Sequence, residues 1–262
     1  MLRQETEGVA MTLRVLSYNI LEGGEDRLAH IANVIASQQP DVVALLEANE
    51  RTNAETLARQ LGMHLTFGEA NSPYHVAWLS RHPVIREENY RLAVLAKTLL
   101  KIEVQWEGSP LALFATHLQH GRSPEQEQYR GMEMQAILEI LRAHSEQPHM
   151  LMGDFNSLAP TDIPDIANHL ITSPNKSEEL MQEGQFVRDV IPVLLQAGYV
   201  DSYRTLHLST PGYTYKLPRP SLRLDYIFIP PTLTSRLQAC DVVTGQEAEI
   251  ASDHLPILAE FS

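Results

Sequence analysis

The 262-residue chain has one cysteine, Cys240, so no internal disulfide can form. That excludes the disulfide-stapled secreted scaffolds and suits a reducing compartment. No apolar run is long enough to span a bilayer, and the opening stretch MLRQETEGVAMTLRVLSYNI lacks the apolar centre of a signal peptide. A soluble, cytoplasmic protein without a membrane span is expected. Cations are scarce: 20 Lys and Arg stand against 33 Asp and Glu, a net charge of −13. Such a surface repels a duplex backbone at long range, so tight nonspecific duplex binding is not expected. A local basic groove or a bound cation remains compatible with it. Short repeats, low-complexity tracts and long linkers are all missing.

What is present is an alternation of apolar strand-like runs and amphipathic stretches. LRVLSYNI (13–20) and DVVALLE (41–47) read as buried strands, and between them Leu28, Ile31, Ala32 and Ile35 share one helical face. TNAETLARQLG carries Thr52 and Glu55 at capping-box spacing and stops at Gly62. HVAWLS (75–80), LLKIEVQW (99–106) and LALFATHL (111–118) are further strands, the last two joined by the turn EGSP. Ser123, Pro124 and Gln126 open a long helix reaching about Arg142, with Met134, Ile137, Leu138 and Leu141 facing the core. HMLMGDF is a strand, residues 160–196 read as helical and irregular, and RLDYIFI, LQACDVV and LPILAEF are late strands. Hairpins and helix-linked strands occur together, so the sheets are mixed. Strands apolar on both faces fit two sheets stacked between helices. One domain over 12–262 is expected, with 1–11 a flexible N-terminus.

Polar residues recur where these strands end. Asn19 ends the first and Glu47 the second. His117 lies near the end of LALFATHL, Asp154 and Asn156 follow HMLMG, Asp225 sits in RLDYIFI, and Asp253 and His254 precede LPILAEF. Each alone has a plain structural explanation: a turn cap for Asn19, a satisfied core histidine for His117, an Asx-turn in GDFN, an N-cap for Asp253. Together they suggest one site, because rigid strands aim side chains from distant segments at a common point.

In this order, SYNI (17–20), LLE (45–47), THL (116–118), GDFN (153–156), RLDYIF (223–228) and SDHLPI (252–257) resemble the endonuclease/exonuclease/phosphatase superfamily, which includes apurinic/apyrimidinic endonucleases, neutral sphingomyelinases and inositol-polyphosphate phosphatases. The resemblance runs from about residue 12 to the end. It implies a four-layer α/β/β/α sandwich and divalent-metal-dependent hydrolysis of phosphate esters by in-line attack of an activated water. Mg²⁺ is the implied cofactor, with Mn²⁺ a substitute. Glu47 matches the family's metal-binding Glu, and Asp253 is a second ligand, direct or through water. Asp154 matches the residue that activates water, with Asn156 positioning it. His254, His117 and Asn19 match the donors to phosphate, and Asp225 matches the carboxylate that pairs with the terminal His. One departure is Leu21, where some nucleases of the superfamily carry an acid; Glu22 or Glu25 lies near enough in sequence to substitute.

Substrate choice falls to less specific features. The loop YTYKLPRPSLRLD holds Lys216, Arg219 and Arg223 among tyrosines, which can stack on bases and hold phosphates, or can simply be a stiff solvated loop. Arg81, just past a strand, is another phosphate-contact candidate. The acidic stretch 161–186 reads as an insert that walls the cleft, better suited to a small molecule or a nucleic-acid end than to a long duplex. Three readings compete with a general phosphodiesterase or phosphatase. A dedicated nuclease or DNA-end-processing enzyme is favoured by the basic loop. A non-catalytic binding module on the same fold is disfavoured by the presence of both Glu47 and His254. A zinc hydrolase built on His117, His120, His144 and His149 lacks any H-E-x-x-H spacing.

Overall fold

The computed structural model describes residues 12–172 and 187–262. Among the described residues, twelve strands form two six-stranded sheets. The first contains β1 (Leu13–Asn19), β2 (Val42–Leu46), β3 (His64–Gly68), β4 (Val76–Ser80), β11 (Leu237–Val242) and β12 (Ile257–Phe261), in the order β11-β12-β1-β2-β4-β3. The second contains β5 (Val84–Tyr90), β6 (Leu99–Trp106), β7 (Ser109–His117), β8 (His149–Asp154), β9 (Val200–Asp201) and β10 (Asp225–Ile229), in the order β5-β6-β7-β8-β10-β9.

The sheets stack face to face. Val15, Ala44, Leu46 and Trp78 of the first meet Ile102, Leu113, Ala115, Met152 and Ile227 of the second in one apolar cluster. Alternate residues point outward, as the period of a strand requires. Leu16 and Tyr18 pack under α1 (Leu28–Gln38) and α2 (Arg51–Leu61). Ala112, Phe114 and Leu151 pack under α3 (Pro124–Arg142) and α5 (Val190–Gln196). The result is the four-layer α/β/β/α sandwich, and it explains why so many strands are apolar on both faces. Each fully buried Leu or Ile contributes about 1.5–3 kcal/mol before the entropy of ordering is subtracted.

Two parallel pairs fix the geometry of the shared edge. β1 runs parallel to β2 with α1 between them in sequence, and β7 runs parallel to β8 with α3 between them. Asn19 is level with Leu46, and His117 with Asp154. β10 runs antiparallel to β8 and begins opposite its end, Asp225 against Asp154. β12 runs antiparallel to β1, so the residues before Ile257 lie beyond the Asn19 end.

Local details depart from the sequence reading. The Thr52–Glu55 capping box does not form: α2 begins at Arg51, and its N-cap Glu50 makes no side-chain cap bond. The Ser123 box does form, with both of its reciprocal bonds present. β3 and β5 are edge strands outside the sequence-read set; β5 carries Arg86, Glu87 and Glu88 and has no fully buried residue, which blunts a sheet edge. Helices α4 (Ile166–Thr172) and α5 flank the described parts of the 160–196 region, and residues 173–186 of the expected insert lie outside the described residues. Among the described residues no helix is long and apolar enough to cross a membrane.

Candidate active site

Where the two sheets share an edge, a small polar cavity opens, lined by Glu47, His117, His120, Gly121, Arg122, Asp154, Asn156, Tyr215, Asp253 and His254. Six of these are strand-end residues singled out from the sequence. The other two of that group, Asn19 and Asp225, stand directly behind them.

Asn19 joins the sheets. Its Nδ2 donates to Glu47 Oε1 and to Asp154 Oδ2, both at 3.1 Å, and its Oδ1 accepts from the Leu21 N–H at 3.0 Å. The turn-cap explanation of Asn19 therefore holds, and the same side chain also ties Glu47 to Asp154. Glu47 leaves β2 with a left-handed φ of 57°, uncommon for a residue with a side chain. Its Oε2 accepts from the Glu22 N–H at 3.0 Å, and its carbonyl accepts from the Gly23 and Asn49 N–H groups. Each carboxylate oxygen thus keeps lone-pair capacity toward the cavity.

Asp154 ends β8 and is buried. Its Oδ1 accepts from the Asn156 N–H at 2.9 Å, an Asx-turn. Strand geometry stops there: Asn156 has φ 49°, and its Nδ2 donates to the Leu118 carbonyl at 3.2 Å. The turn, not the pleat of the strand, therefore directs Asn156 to the cavity. Burial pushes the Asp154 carboxyl up, with Asp225 adding to it, against the pull of His254, the Asn156 N–H and Lys97; it settles at about 6.

Asp225 Oδ2 and His254 Nδ1 are 2.8 Å apart, and His254 Nε2 lies 3.7 Å from Asp154 Oδ2. Burial alone would discharge this imidazole. Asp225, Asp154 and Asp253 outweigh it and raise the ring to about 10, so His254 is a fixed cation near neutral pH. The loop is tied down by Ser252, whose Oγ donates to the Asn19 carbonyl at 2.7 Å and accepts from the His254 N–H at 3.2 Å. His117 differs. Burial, with Lys97, His254 and His120 nearby, holds its pKa well below the usual value, so it is neutral; its Nε2 lies 3.4 Å from Asp154 Oδ2. Of the two histidines, only His254 supplies charge.

Several sequence candidates are not brought to the cavity. Arg81 follows β4 at the opposite end of its sheet, since Ser80 pairs with Val42 at the start of β2. There its Nε donates to the Pro40 carbonyl at 2.9 Å. Arg223 is fully buried between Asp162 and Asp201, at 2.9 and 2.7 Å, and lies against the Tyr226 ring. Its charge is consumed in holding the chain between β8 and β10. Lys216 and Arg219 lie on the same loop but do not line the cavity; only Tyr215 of that loop does, with its ring 4.7 Å from His254. The four-histidine zinc set is dispersed: His149 begins β8 at the end opposite Asp154, and His144 packs on Phe114. Glu22 contributes its N–H to Glu47 while its own side chain stays at the surface.

Arg122 and Lys97 were not identified from sequence, and His120 entered only as part of the zinc alternative. His120 and Arg122 sit in HLQHGR, directly after the end of β7 and before the α3 cap, and that position was the available signal. Lys97 is buried, donates its Nζ to the Leu118 carbonyl at 2.7 Å and lies over the Tyr74 ring. Burial lowers it to about 8, against Asp154, Glu133 and Glu47.

Two stacked mixed sheets between helical layers, with carboxylates and histidines gathered over their common edge, define the architecture of a class of phosphoester hydrolases. The chain belongs to the Endonuclease/Exonuclease/phosphatase family, whose sequence pattern matches residues 16–254. Solved structures are similar along nearly the whole length. An AP endonuclease from Archaeoglobus fulgidus shares 21% identity, with TM-score 0.77 over 95% of this chain and 99% of that one. A single-residue variant of the 3′ phosphatase NExo from Neisseria, bound to product DNA hairpin, shares 23%, with TM-score 0.71 over 95% and 99%. The human Nocturnin catalytic domain with bound sulfate anion shares 21%, with TM-score 0.70 over 96% and 93%. No curated protein sequence matches.

Proposed function

We propose that the protein is a Mg²⁺-dependent phosphoesterase that attacks an exposed phosphate, on a small molecule or a nucleic-acid end, with an activated water. The observation that carries this reading is the gathering of Glu47, Asp154, Asp253 and the charged His254 around one polar cavity. Three carboxylates facing the same space repel one another unless a cation joins them, and oxygen donors suit a hard cation. Glu47 and Asp253 would hold it. Asp154, Asp225 and His254 also bring three ligand atoms within 4.8 Å of one another. Their burial and the 2.8 Å Asp225–His254 contact favour a hydrogen-bonded unit there, leaving the more open Glu47 side for a hydrated ion. When bound, the cation would polarise a phosphoryl oxygen.

The remaining chemistry belongs to side chains. Asp154, ionised above about pH 6, accepts a proton from the attacking water. Asn19 and the Asn156 N–H hold its carboxylate in place. His254 donates from Nε2 to a phosphoryl oxygen as negative charge grows there, while Asp225 fixes Nδ1. The P–O ester bond breaks as the bond from the water oxygen to phosphorus forms, and the ester oxygen leaves as the alcohol, taking its proton from solvent. A cytoplasmic setting completes the proposal, in keeping with the buried, unpaired Cys240.

A panel of phosphate esters, including terminally phosphorylated oligonucleotides and inositol phosphates, assayed with Mg²⁺ and with Mn²⁺, tests the reading. Glu47→Gln preserves shape and removes charge, so calorimetric Mg²⁺ affinity should fall at least about tenfold. Unchanged affinity would assign the cation to other residues.

A further inference from the structure

Arg122 is a cavity-lining cation that the proposed chemistry leaves unused. Its guanidinium lies 5.0 Å from the centre of the Tyr215 ring, and that ring lies 4.7 Å from His254. It belongs to none of the ion pairs among the described residues, unlike the buried Arg130 and Arg223. The loop beneath it is braced by hydrogen bonds. Arg130 Nη1 donates to the carbonyls of Gln119 and Gly121 at 2.8 and 2.6 Å. Gly121 has φ 98°, and a side chain there would strike Gln126, which is itself committed to the α3 capping box. A guanidinium with no carboxylate partner among the described residues, on a braced loop facing a cavity lined by His254 and three carboxylates, is pre-positioned for an anion.

We infer that Arg122 reads the charge state of the substrate phosphate and makes this a site for terminal phosphomonoesters in preference to internal phosphodiesters. The inference rests on the phosphoesterase reading and specifies its substrate class. It follows from counting oxygens. When bound, a cation would engage one non-bridging phosphate oxygen, and His254 would donate to a second. Arg122, on the loop after β7, requires a third. A diester has two non-bridging oxygens and one negative charge. A monoester has three and, near pH 8, almost two charges. The acidic surface of the protein points the same way, since a chain end or small ester can enter where the flanking backbone of a duplex is repelled.

The test is a binding titration with Mg²⁺ present, using inorganic phosphate as the dianion and dimethyl phosphate as the monoanion, on the parent and on Arg122→Gln and Arg122→Lys. The parent should bind phosphate at least about tenfold more tightly than dimethyl phosphate. Arg122→Gln should weaken phosphate by about ten- to a hundredfold, the factor a charge-assisted hydrogen bond carries, and dimethyl phosphate by less than about threefold. Arg122→Lys should recover only part of the loss. Equal weakening of both ligands, no weakening, or a parent that does not bind phosphate would each overturn the inference. Hydrolysis of p-nitrophenyl phosphate and bis(p-nitrophenyl) phosphate separates the two levels of the account. A parent that hydrolyses neither, yet binds phosphate through Arg122, would remove the phosphoesterase reading alone. A parent that hydrolyses both with no change in their ratio on Arg122→Gln would remove the Arg122 inference alone.

Discussion

The 2.8 Å contact between Asp225 and His254 joins two buried groups that depend on each other: the carboxylate keeps the imidazole charged, and the imidazole neutralises the carboxylate. Residues coupled this way lose function non-additively. Asp225→Asn should reduce turnover strongly while leaving Mg²⁺ affinity nearly intact, and His254→Ala should reduce it at least as much. The double variant should be little worse than His254→Ala alone. The sign of the pH effect is fixed. His254 is held up to about 10 in the parent, so its charge is present below that pH and is lost above it. Without Asp225 the ring deprotonates earlier, and the alkaline decline of turnover should move to lower pH. Multiplicative losses in the double variant would give Asp225 a separate role.

Helix α3 shows how one element serves both core and site. Its C-terminal half buries Met134, Ile137, Leu138 and Leu141, as the sequence periodicity predicts. Its N-terminal half buries charges instead. Arg130 pairs with Glu127, and Glu127 Oε1 accepts from the Ser157 hydroxyl and the Asp189 N–H. Glu133 accepts from the Ala96 and Gln119 N–H groups. These charges were not legible as buried, because most of their partners, the Ser157 hydroxyl and the Ala96, Gln119 and Asp189 N–H groups, come from segments outside the helix, and periodicity reports only apolar faces. Arg130→Met would strand Glu127 and free the 119–121 carbonyls, and it should cost about 3–5 kcal/mol in urea unfolding. A loss below about 1 kcal/mol would show the brace to be dispensable. Strand β8 supplies a pH test at its other end. His149 lies between the Gln147 carbonyl and the Tyr199 hydroxyl, and burial lowers its pKa below 6.5. A depressed imidazole contributes its full stability above the unfolded value and loses it as pH falls below that. Between about pH 7.5 and about pH 5 the parent should therefore lose more stability than His149→Phe, as compared by thermal midpoints. Equal losses would mean that His149 titrates normally.

At the scale of the whole molecule, the layering was legible because strands apolar on both faces have few other places to go. The strand-end residues were legible as a group because parallel pairs align the ends of β1 with β2 and of β7 with β8. Arg223 was misread because RLDYIF places a cation next to a site carboxylate in sequence, whereas the buried Asp162 and Asp201 that claim it come from distant segments. Arg122 went unread for the converse reason: its place between the end of β7 and the α3 cap is only a weak mark in sequence, and Arg130 and the cap are what turn that loop to the cavity. The central claim is that this edge hydrolyses phosphate esters with a divalent cation and a charged His254. The most direct measurement is turnover of a terminally phosphorylated oligonucleotide by the parent and by His254→Ala, after chelation and again after Mg²⁺ is restored. The account predicts negligible release of phosphate after chelation, recovery with Mg²⁺ in the parent, and a loss of at least about a hundredfold in His254→Ala. Undiminished release from the chelated parent, or from folded His254→Ala with Mg²⁺, would contradict it.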